Sequence, residues 1–254
     1  MAAENIIQWN WRGLLKNLDY IYEILEQHQP NIFCLQETHL KPTHTSLLKR
    51  YVVYRKDRQG TPHSSGGVAI VVQKAVSSRS LILITDLEAV AIRTLIFGRV
   101  TTVCSLYIPP DYQLSTKEFE TLIDQLPHPF LLVGDFNAHH PLWGCRRTDS
   151  RGSLIENFLL SSGSCIFNKK EPTYFNAAHN SYTAIDLAIG SPSLLATTEW
   201  AVIQNLYGSD HFPVCLKYKG NTSTMQGQHT RATQRTTSSV DSCLQTRSRR
   251  LLLV

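Results

Sequence analysis

The stretch Phe130-Leu131-Leu132-Val133-Gly134-Asp135-Phe136-Asn137 constrains this chain more than any other. A short apolar run delivers a carboxylate and a carboxamide, two residues apart, where it gives way to polar residues. That is the layout of a buried strand ending in a reactive edge. Residues 6–9 repeat it before Asn10, and Ile32-Phe33-Cys34-Leu35 repeats it before Gln36-Glu37-Thr38. Between those two runs, Leu14, Leu18, Ile21 and Leu25 recur at spacings of four, three and four, which predicts a helix to about His28 that Pro30 stops. Strand, helix and strand within about 30 residues is the signature of a layered α/β fold.

Farther along, residues 39–50 read as polar loop, and residues 51–54 and 67–72, rich in β-branched and aromatic side chains, read as strands. Ser64-Ser65-Gly66-Gly67 is the turn before the second. Apolar segments at 81–84, 89–92, 95–97 and 101–107 follow one another with no helix-length period and predict an antiparallel meander. Ser115-Thr116-Lys117-Glu118 has the form of a capping box and predicts a helix to about Gln125. Leu154, Ile155, Phe158 and Leu159 form a helical stripe that Gly163 ends. Residues 165–168, 173–175, 182–189, 200–203 and 212–218 read as further strands, with a hairpin tip over 176–181. The prediction is one α/β domain over residues 1–218: a four-layer α/β sandwich, two mostly antiparallel sheets packed face to face with helices outside. Residues 219–254, rich in Thr, Ser, Gln and Arg without periodicity, predict a disordered basic tail.

Charge follows that division. The formal net charge is +5, but residues 1–218 hold 19 Lys and Arg against 19 Asp and Glu, while residues 219–254 hold six against one. The basic balance therefore belongs to the tail, and a body that binds nucleic acid must do so through a local patch. The six cysteines show no C-x-x-C pair, and Cys34, Cys104 and Cys215 sit inside apolar runs, which predicts reduced thiols and an intracellular protein, nuclear or cytoplasmic. No apolar run approaches the roughly 20 residues that span a bilayer, so no membrane contact is predicted. A monomer is expected.

Six strand ends hold polar residues suited to one chemistry: Asn10, Glu37, Tyr107, Asp135 with Asn137, Asp186, and Asp210 with His211. Singly, each has a plain structural reading as a turn residue, a loop carboxylate, a rim aromatic or a structural histidine. Together they are the parts of metal-assisted phosphodiester hydrolysis. Carboxylates and carboxamides are hard oxygen ligands for Mg²⁺, a histidine beside a carboxylate is an acid/base or charge-stabilising pair, and a tyrosine hydroxyl can hold a phosphate oxygen.

The body resembles the endonuclease/exonuclease/phosphatase superfamily over roughly residues 5–218. The motifs run in order: Gln8-Trp9-Asn10, Leu35-Gln36-Glu37-Thr38, Gly66-Gly67-Val68-Ala69-Ile70, Tyr107-Ile108-Pro109-Pro110, Gly134-Asp135-Phe136-Asn137, Ile185-Asp186-Leu187 and Ser209-Asp210-His211-Phe212-Pro213. Within it, Asn137-Ala138-His139-His140 with Leu142-Trp143-Gly144, Pro172-Thr173-Tyr174-Phe175 and Gly208-Ser209-Asp210-His211 look most like the apurinic-type endonuclease domain of non-LTR retrotransposons. The resemblance implies a nick in one strand of double-stranded DNA that leaves a 3′ hydroxyl to prime reverse transcription. It implies Mg²⁺, with Mn²⁺ as a substitute, on Glu37 with Asn10 nearby and Asp210 contributing. Tyr107 and Asn137 orient the scissile phosphate, Asp135 positions or deprotonates water, and Asp186 holds His211, which stabilises phosphoryl charge. Which of Asp135 and His211 is the general base stays open.

Thr173 and Thr183 match polar positions flanking the site, and the resemblance places Asn176, His179 and Asn180 on a hairpin that enters a DNA groove. Arg146, with Arg147 and Arg151, forms a basic cluster suited to phosphate contact or to a solvated face. Adjacent His139 and His140 suggest zinc, but neighbouring side chains seldom converge on one ion and no third ligand stands at zinc-like spacing. The alternatives are an abasic-site repair endonuclease, another phosphodiesterase of the superfamily, or an inactive retrotransposon remnant. A full element of this kind continues into a reverse transcriptase, whereas this sequence contains no Tyr-x-Asp-Asp, so the segment after Lys219 departs from the pattern and reads as a truncated or non-native continuation.

Overall fold

The computed structural model describes residues 4–13, 18–44, 48, 50–58 and 65–220. Leu14, Ser64 and most of the proposed tail lie outside them. In chain order the strands are β1 (Asn5–Asn10), β2 (Ile32–Gln36), β3 (Tyr51–Lys56), β4 (Val68–Gln73), β5 (Ser78–Leu81), β6 (Glu88–Ile96), β7 (Arg99–Tyr107), β8 (Phe130–Asp135), β9 (Cys165–Ile166), β10 (Tyr174–Asn176), β11 (Ser181–Thr183), β12 (Asp186–Gly190), β13 (Thr198–Val202) and β14 (Val214–Tyr218). The helices are α1 (Leu18–His28), α2 (Thr116–Asp124), α3 (Ser150–Ser162) and a single turn, α4 (Pro192–Leu195).

These strands build two six-stranded sheets, ordered β13-β14-β1-β2-β4-β3 and β5-β6-β7-β8-β12-β9, and the small β10-β11 hairpin. Most neighbours are antiparallel. In each sheet one pair is parallel, β1 with β2 and β7 with β8. Each parallel pair is joined through a helix, α1 or α2, as a parallel connection requires. The consequence is positional: parallel neighbours end at the same edge, so Asn10 lies beside Gln36 in one sheet and Tyr107 beside Asp135 in the other.

Three apolar clusters make four layers. Ile6, Ile32, Cys34, Ile70, Val103, Leu131, Val133 and Leu216 fill the space between the sheets. Ile21, Ile24 and Leu25 of α1 pack with Trp9, Phe33 and Leu35 on the outer face of the first sheet. Phe119 and Leu122 of α2 and Ile155 and Phe158 of α3 cover the second with Leu106, Leu132 and Phe136. Burying one such side chain contributes about 1.5–3 kcal/mol. The expected sandwich is the one observed.

Local signals also locate helix ends. Ser115 accepts the Glu118 N–H while Glu118 accepts the Ser115 N–H, the reciprocal cap expected for α2. Asp149 caps α3, and Gly163 ends it in a left-handed turn. Two expectations change. The segments 89–92 and 95–97 run as one strand, β6, that ends at Ile96, because Phe97-Gly98 makes the tight turn into β7. The return strand expected over 182–189 is broken at Ala184-Ile185 into β11 and β12. There the Thr173 hydroxyl accepts the Ile185 and Asp186 N–H groups, and the chain leaves the hairpin for the second sheet.

Candidate active site

The parallel ends of β1 and β2 supply the first half of the site. Asn10 is fully buried. Its Nδ2 donates to Glu37 Oε1 at 2.9 Å and to Asp135 Oδ2 at 2.8 Å, while its Oδ1 accepts the Arg12 N–H at 3.2 Å. A carboxamide facing two carboxylates presents hydrogens, and here its oxygen is occupied by main chain. Burial alone would raise the Glu37 carboxyl, but hydrogen bonds from His39 and Asn10 and the charges of His211 and Arg12 bring it down to about 2. Glu37 is thus an anion. Burial beside the Glu37 and Asp135 carboxylates pushes the pKa of the Tyr107 hydroxyl far up, so it stays a neutral donor.

The second half comes from β8 and β12. At Gly134 (φ +155°) a Cβ would lie 1.8 Å from the Leu106 carbonyl oxygen, so only glycine lets β8 lie this close to β7 before the chain reaches Asp135. Asp135 is 1% exposed and also accepts the Asn137 N–H at 3.0 Å and Asn137 Nδ2 at 3.2 Å. Asn137 itself takes a left-handed φ of +47°, which folds its amide back onto Asp135 and the Ile108 carbonyl. Burial raises the Asp135 pKa against the opposing charge of His211.

Across the register from Asp135 stands Asp186, whose Oδ2 lies 2.8 Å from His211 Nδ1. The other imidazole nitrogen, Nε2, is 3.9 Å from Asp135 Oδ2. Burial lowers the His211 pKa, but the charge and hydrogen bond of Asp186, with Asp135 and Asp210, outweigh it and the net shift is upward. The loop is fixed by Trp9 Nε1 on the His211 carbonyl, by Ser209 Oγ between Asn10 and His211, and by Phe175 N–H on the Asp210 carbonyl. One Asp210 oxygen pairs with Arg12; the other, Oδ1, is buried with no hydrogen-bond partner among the described residues.

Asn10, Glu37, Tyr107, Asp135, Asn137, Asp186, Asp210 and His211 therefore come together at one end of the seam between the sheets. The flanking residues divide. Thr173 is fully buried behind Asp186, where its hydroxyl holds backbone. Thr183 lies beside Cys145, 3.2 Å between Oγ1 and Sγ. Asn176 Oδ1 accepts the His179 N–H inside the exposed hairpin tip, and Asn180 takes a left-handed φ of +44°. Arg146 and Arg147 are exposed. Arg151 leaves that cluster: it is buried and donates to the carbonyls of Phe136, Asn137, Pro109, Pro110 and Tyr112. His139 turns to Asp149 and His140 to Glu156, away from any shared ion.

Sequence reading assigned no role to Arg12, His39 or Tyr174. Arg12 lies in the fields of both Asp210 and Glu37, and the Tyr174 ring stands 4.7 Å from that of His211. Arg12 alone had a signal, a charged residue two positions beyond a strand-ending carboxamide.

Among the described residues no group of three or more His, Cys, Asp or Glu side chains is gathered to hold a metal by protein ligands alone. The donors present are an ionised Glu37 and the unpartnered Oδ1 of Asp210. They fit Mg²⁺, which keeps several waters and binds through one or two carboxylates plus substrate phosphate.

The model of the Endonuclease/Exonuclease/phosphatase family matches residues 7–211. The chain is 27% identical over 225 residues to the "Probable RNA-directed DNA polymerase from transposon X-element" of Drosophila melanogaster, covering 85% of this chain and 24% of that protein. It is 24% identical over 211 residues to the "RNA-directed DNA polymerase from mobile element jockey" of the same species, covering 81% and 23%. The chain thus spans about a quarter of the length of these relatives. Among solved structures it is similar to the "Endonuclease domain of TRAS1, a telomere-specific non-LTR retrotransposon", with TM-score 0.70 and 19% identity over 85% of this chain and 98% of that one. An AP endonuclease from Archaeoglobus fulgidus matches with TM-score 0.65 and 17% identity over 85% and 99%. At such identities the two structures speak for the fold.

Proposed function

The chain belongs to the endonuclease/exonuclease/phosphatase family, and on that premise we propose that it is a divalent-metal-dependent DNA endonuclease. In this reading it nicks one strand of duplex DNA and leaves a 3′ hydroxyl for target-primed reverse transcription. The observation that supports it best is the 3.9 Å separation of His211 Nε2 from Asp135 Oδ2. Two buried groups of opposite acid/base character face each other across a gap too long for a hydrogen bond, where an oxygen can contact both.

Asp135 takes a proton from the attacking water as its oxygen bonds to phosphorus; the bond from phosphorus to the 3′ oxygen breaks with its electron pair going to that oxygen, which takes a proton from solvent, giving a 5′ phosphate and a 3′ hydroxyl. A carboxylate whose pKa is raised by burial is a better base near neutrality. Asp186 keeps the proton on His211 Nδ1 and favours the imidazolium, whose Nε2–H donates to the non-bridging oxygens as their charge grows. Tyr107 and Asn137 orient the phosphate. Glu37 and Asp210 would hold Mg²⁺, or Mn²⁺ in its place, and such an ion would supply charge neutralisation for the phosphate. Asn10 organises the two carboxylates. The tip residues Asn176, His179 and Asn180 meet the groove and bias the target, with Thr183 at the hairpin base and Arg146 on flanking phosphate.

We further take the catalytic body as residues 1–218, acting as a monomer inside the cell, with a reverse transcriptase as partner in a full element. The test is relaxation of supercoiled plasmid with Mg²⁺ or with EDTA, followed by polymerase extension from the nicks. Nicking that needs the ion, gives extendable ends and is lost in Glu37→Gln, Asp135→Asn and His211→Gln is expected. Unaltered nicking in any of the three removes that residue from the mechanism. The fold shared with AP endonucleases favours a second reading, and abasic duplex cut much faster than intact duplex would assign the chain to repair instead.

A further inference from the structure

Behind the site a line of buried polar side chains crosses the otherwise apolar space between the sheets. Ser105 Oγ donates to the Leu35 carbonyl at 3.3 Å, Gln36 Nε2 donates to Ser105 Oγ at 2.9 Å, and Gln8 Nε2 donates to Gln36 Oε1 at 2.7 Å. The same Gln8 nitrogen donates to Asp186 Oδ1 at 2.9 Å. Gln8, Gln36, Ser105 and Asp186 are each at most 1% exposed. Gln8 and Gln36 belong to β1 and β2, Ser105 and Asp186 to β7 and β12, so the line passes from one sheet to the other three times.

Its direction is fixed from one end. The Leu35 carbonyl can only accept, so the single Ser105 hydrogen goes there and Ser105 must accept from Gln36. The Gln36 amide then turns its oxygen to Gln8, and both Gln8 amide hydrogens are committed, one to Gln36 and one to Asp186. Asp186 accepts from Gln8 at Oδ1 and faces His211 Nδ1 with Oδ2; as a carboxylate it accepts there too, which puts the proton between the two on Nδ1. We propose that Gln8 is a positioning residue for the reaction, holding Asp186, and through it His211, in the orientation and tautomer that transition-state stabilisation needs. This rests on the functional reading above, in which the Asp186–His211 pair acts on the phosphate.

Partners of this kind typically matter by 10- to 100-fold. In Gln8→Met, which keeps the shape and removes the donor, kcat for plasmid nicking should fall about 10- to 100-fold with KM within about twofold. In an Asp186→Asn background the same change should lower kcat by less than about twofold, because the residue through which Gln8 acts is already impaired. A general packing defect would instead multiply with Asp186→Asn. Gln8→Met at wild-type kcat, or effects that multiply in the double variant, overturns the proposal. Should Gln8→Met not fold, Ser105→Ala decides by the same cycle: it frees the Gln36 amide and should lower kcat about two- to fivefold alone and not at all beside Asp186→Asn. A protein that does not nick DNA, or in which Asp186→Asn has no effect, overturns the functional reading and this inference with it. Loss in Asp186→Asn without loss in Gln8→Met overturns this inference alone.

Discussion

Two consecutive stretches of similar polar density do opposite things with their polar side chains. Residues 134–137 aim Asp135 and Asn137 at a point they share with Asn10 and His211. In residues 138–151, His139 and Asp149 pair with each other, His140 turns to the Leu142 N–H and Glu156, and Arg151 turns to main-chain carbonyls. Polar density in sequence does not separate the two cases. What separates them is place: the first stretch is the end of a central strand facing the opposite sheet, where side chains arrive from other strands, while the second wraps the outside of its own sheet and caps a helix.

Four substitutions sharpen that contrast, from the largest effect to the smallest. Asp135→Asn should lower the nicking rate about 10³-fold, equivalent to about 4 kcal/mol in the barrier. Stability should not fall with it. A carboxyl whose pKa is raised on folding loses stability to the fold as pH climbs from its unfolded value of about 3.9 through the raised one, and the carboxamide removes that loss. Urea unfolding in EDTA at several pH values should therefore show the variant gaining on wild type as pH rises across that window. A variant clearly less stable at neutral pH would place Asp135 with the scaffold.

Arg151→Met should do the reverse, costing on the order of 3 kcal/mol in urea unfolding because five carbonyl acceptors lose a buried charged donor. Asp149→Ala removes the α3 cap and should cost about 1 kcal/mol. Burial opposes ionisation of Asp149, but the Gly152 N–H and His139 overcome it and lower its pKa. Its contribution is therefore present above the unfolded value of about 3.9 and fades as pH falls through the lower folded one, so wild type and variant should converge in acid. His140→Ala should cost about 0.5 kcal/mol, the value of a weak cap on the single turn Pro141–Trp143. Zn²⁺ raising the melting temperature of wild type but not of this variant would reopen the metal reading of the histidine pair.

The polar edge of the candidate site was legible because each of its members stands where an apolar run stops, and a stopping point is visible without knowing the neighbours. Ser115, Glu118 and Gly163 were legible for the same local reason, since a cap acts within three residues. Arg151 was not: its charge suggested phosphate, and the carbonyls it serves come from segments up to 42 residues away. Asn10 was half legible. Its position at the edge was clear, but which end of its carboxamide faces inward depends on Arg12 N–H and on carboxylates from two other strands. Gln8 and Gln36 alternate with apolar neighbours in runs that already read as strands, and only the arrival of Asp186, 178 positions beyond Gln8, gives them a purpose.

The place of β14 in the first sheet has a temporal side. It lies between β13 and β1, so the last strand of the described chain inserts beside the first, and Asp210 and His211 arrive just ahead of it. A ribosome making this protein releases Asn10, Glu37, Tyr107 and Asp135 long before His211. Until β14 follows, an edge of β1 stays unpaired and the proposed site lacks Asp210 and His211. Pairing across so much sequence is slow to nucleate, so the β1–β14 seam is expected to form late in folding and the proposed site to be completed with it.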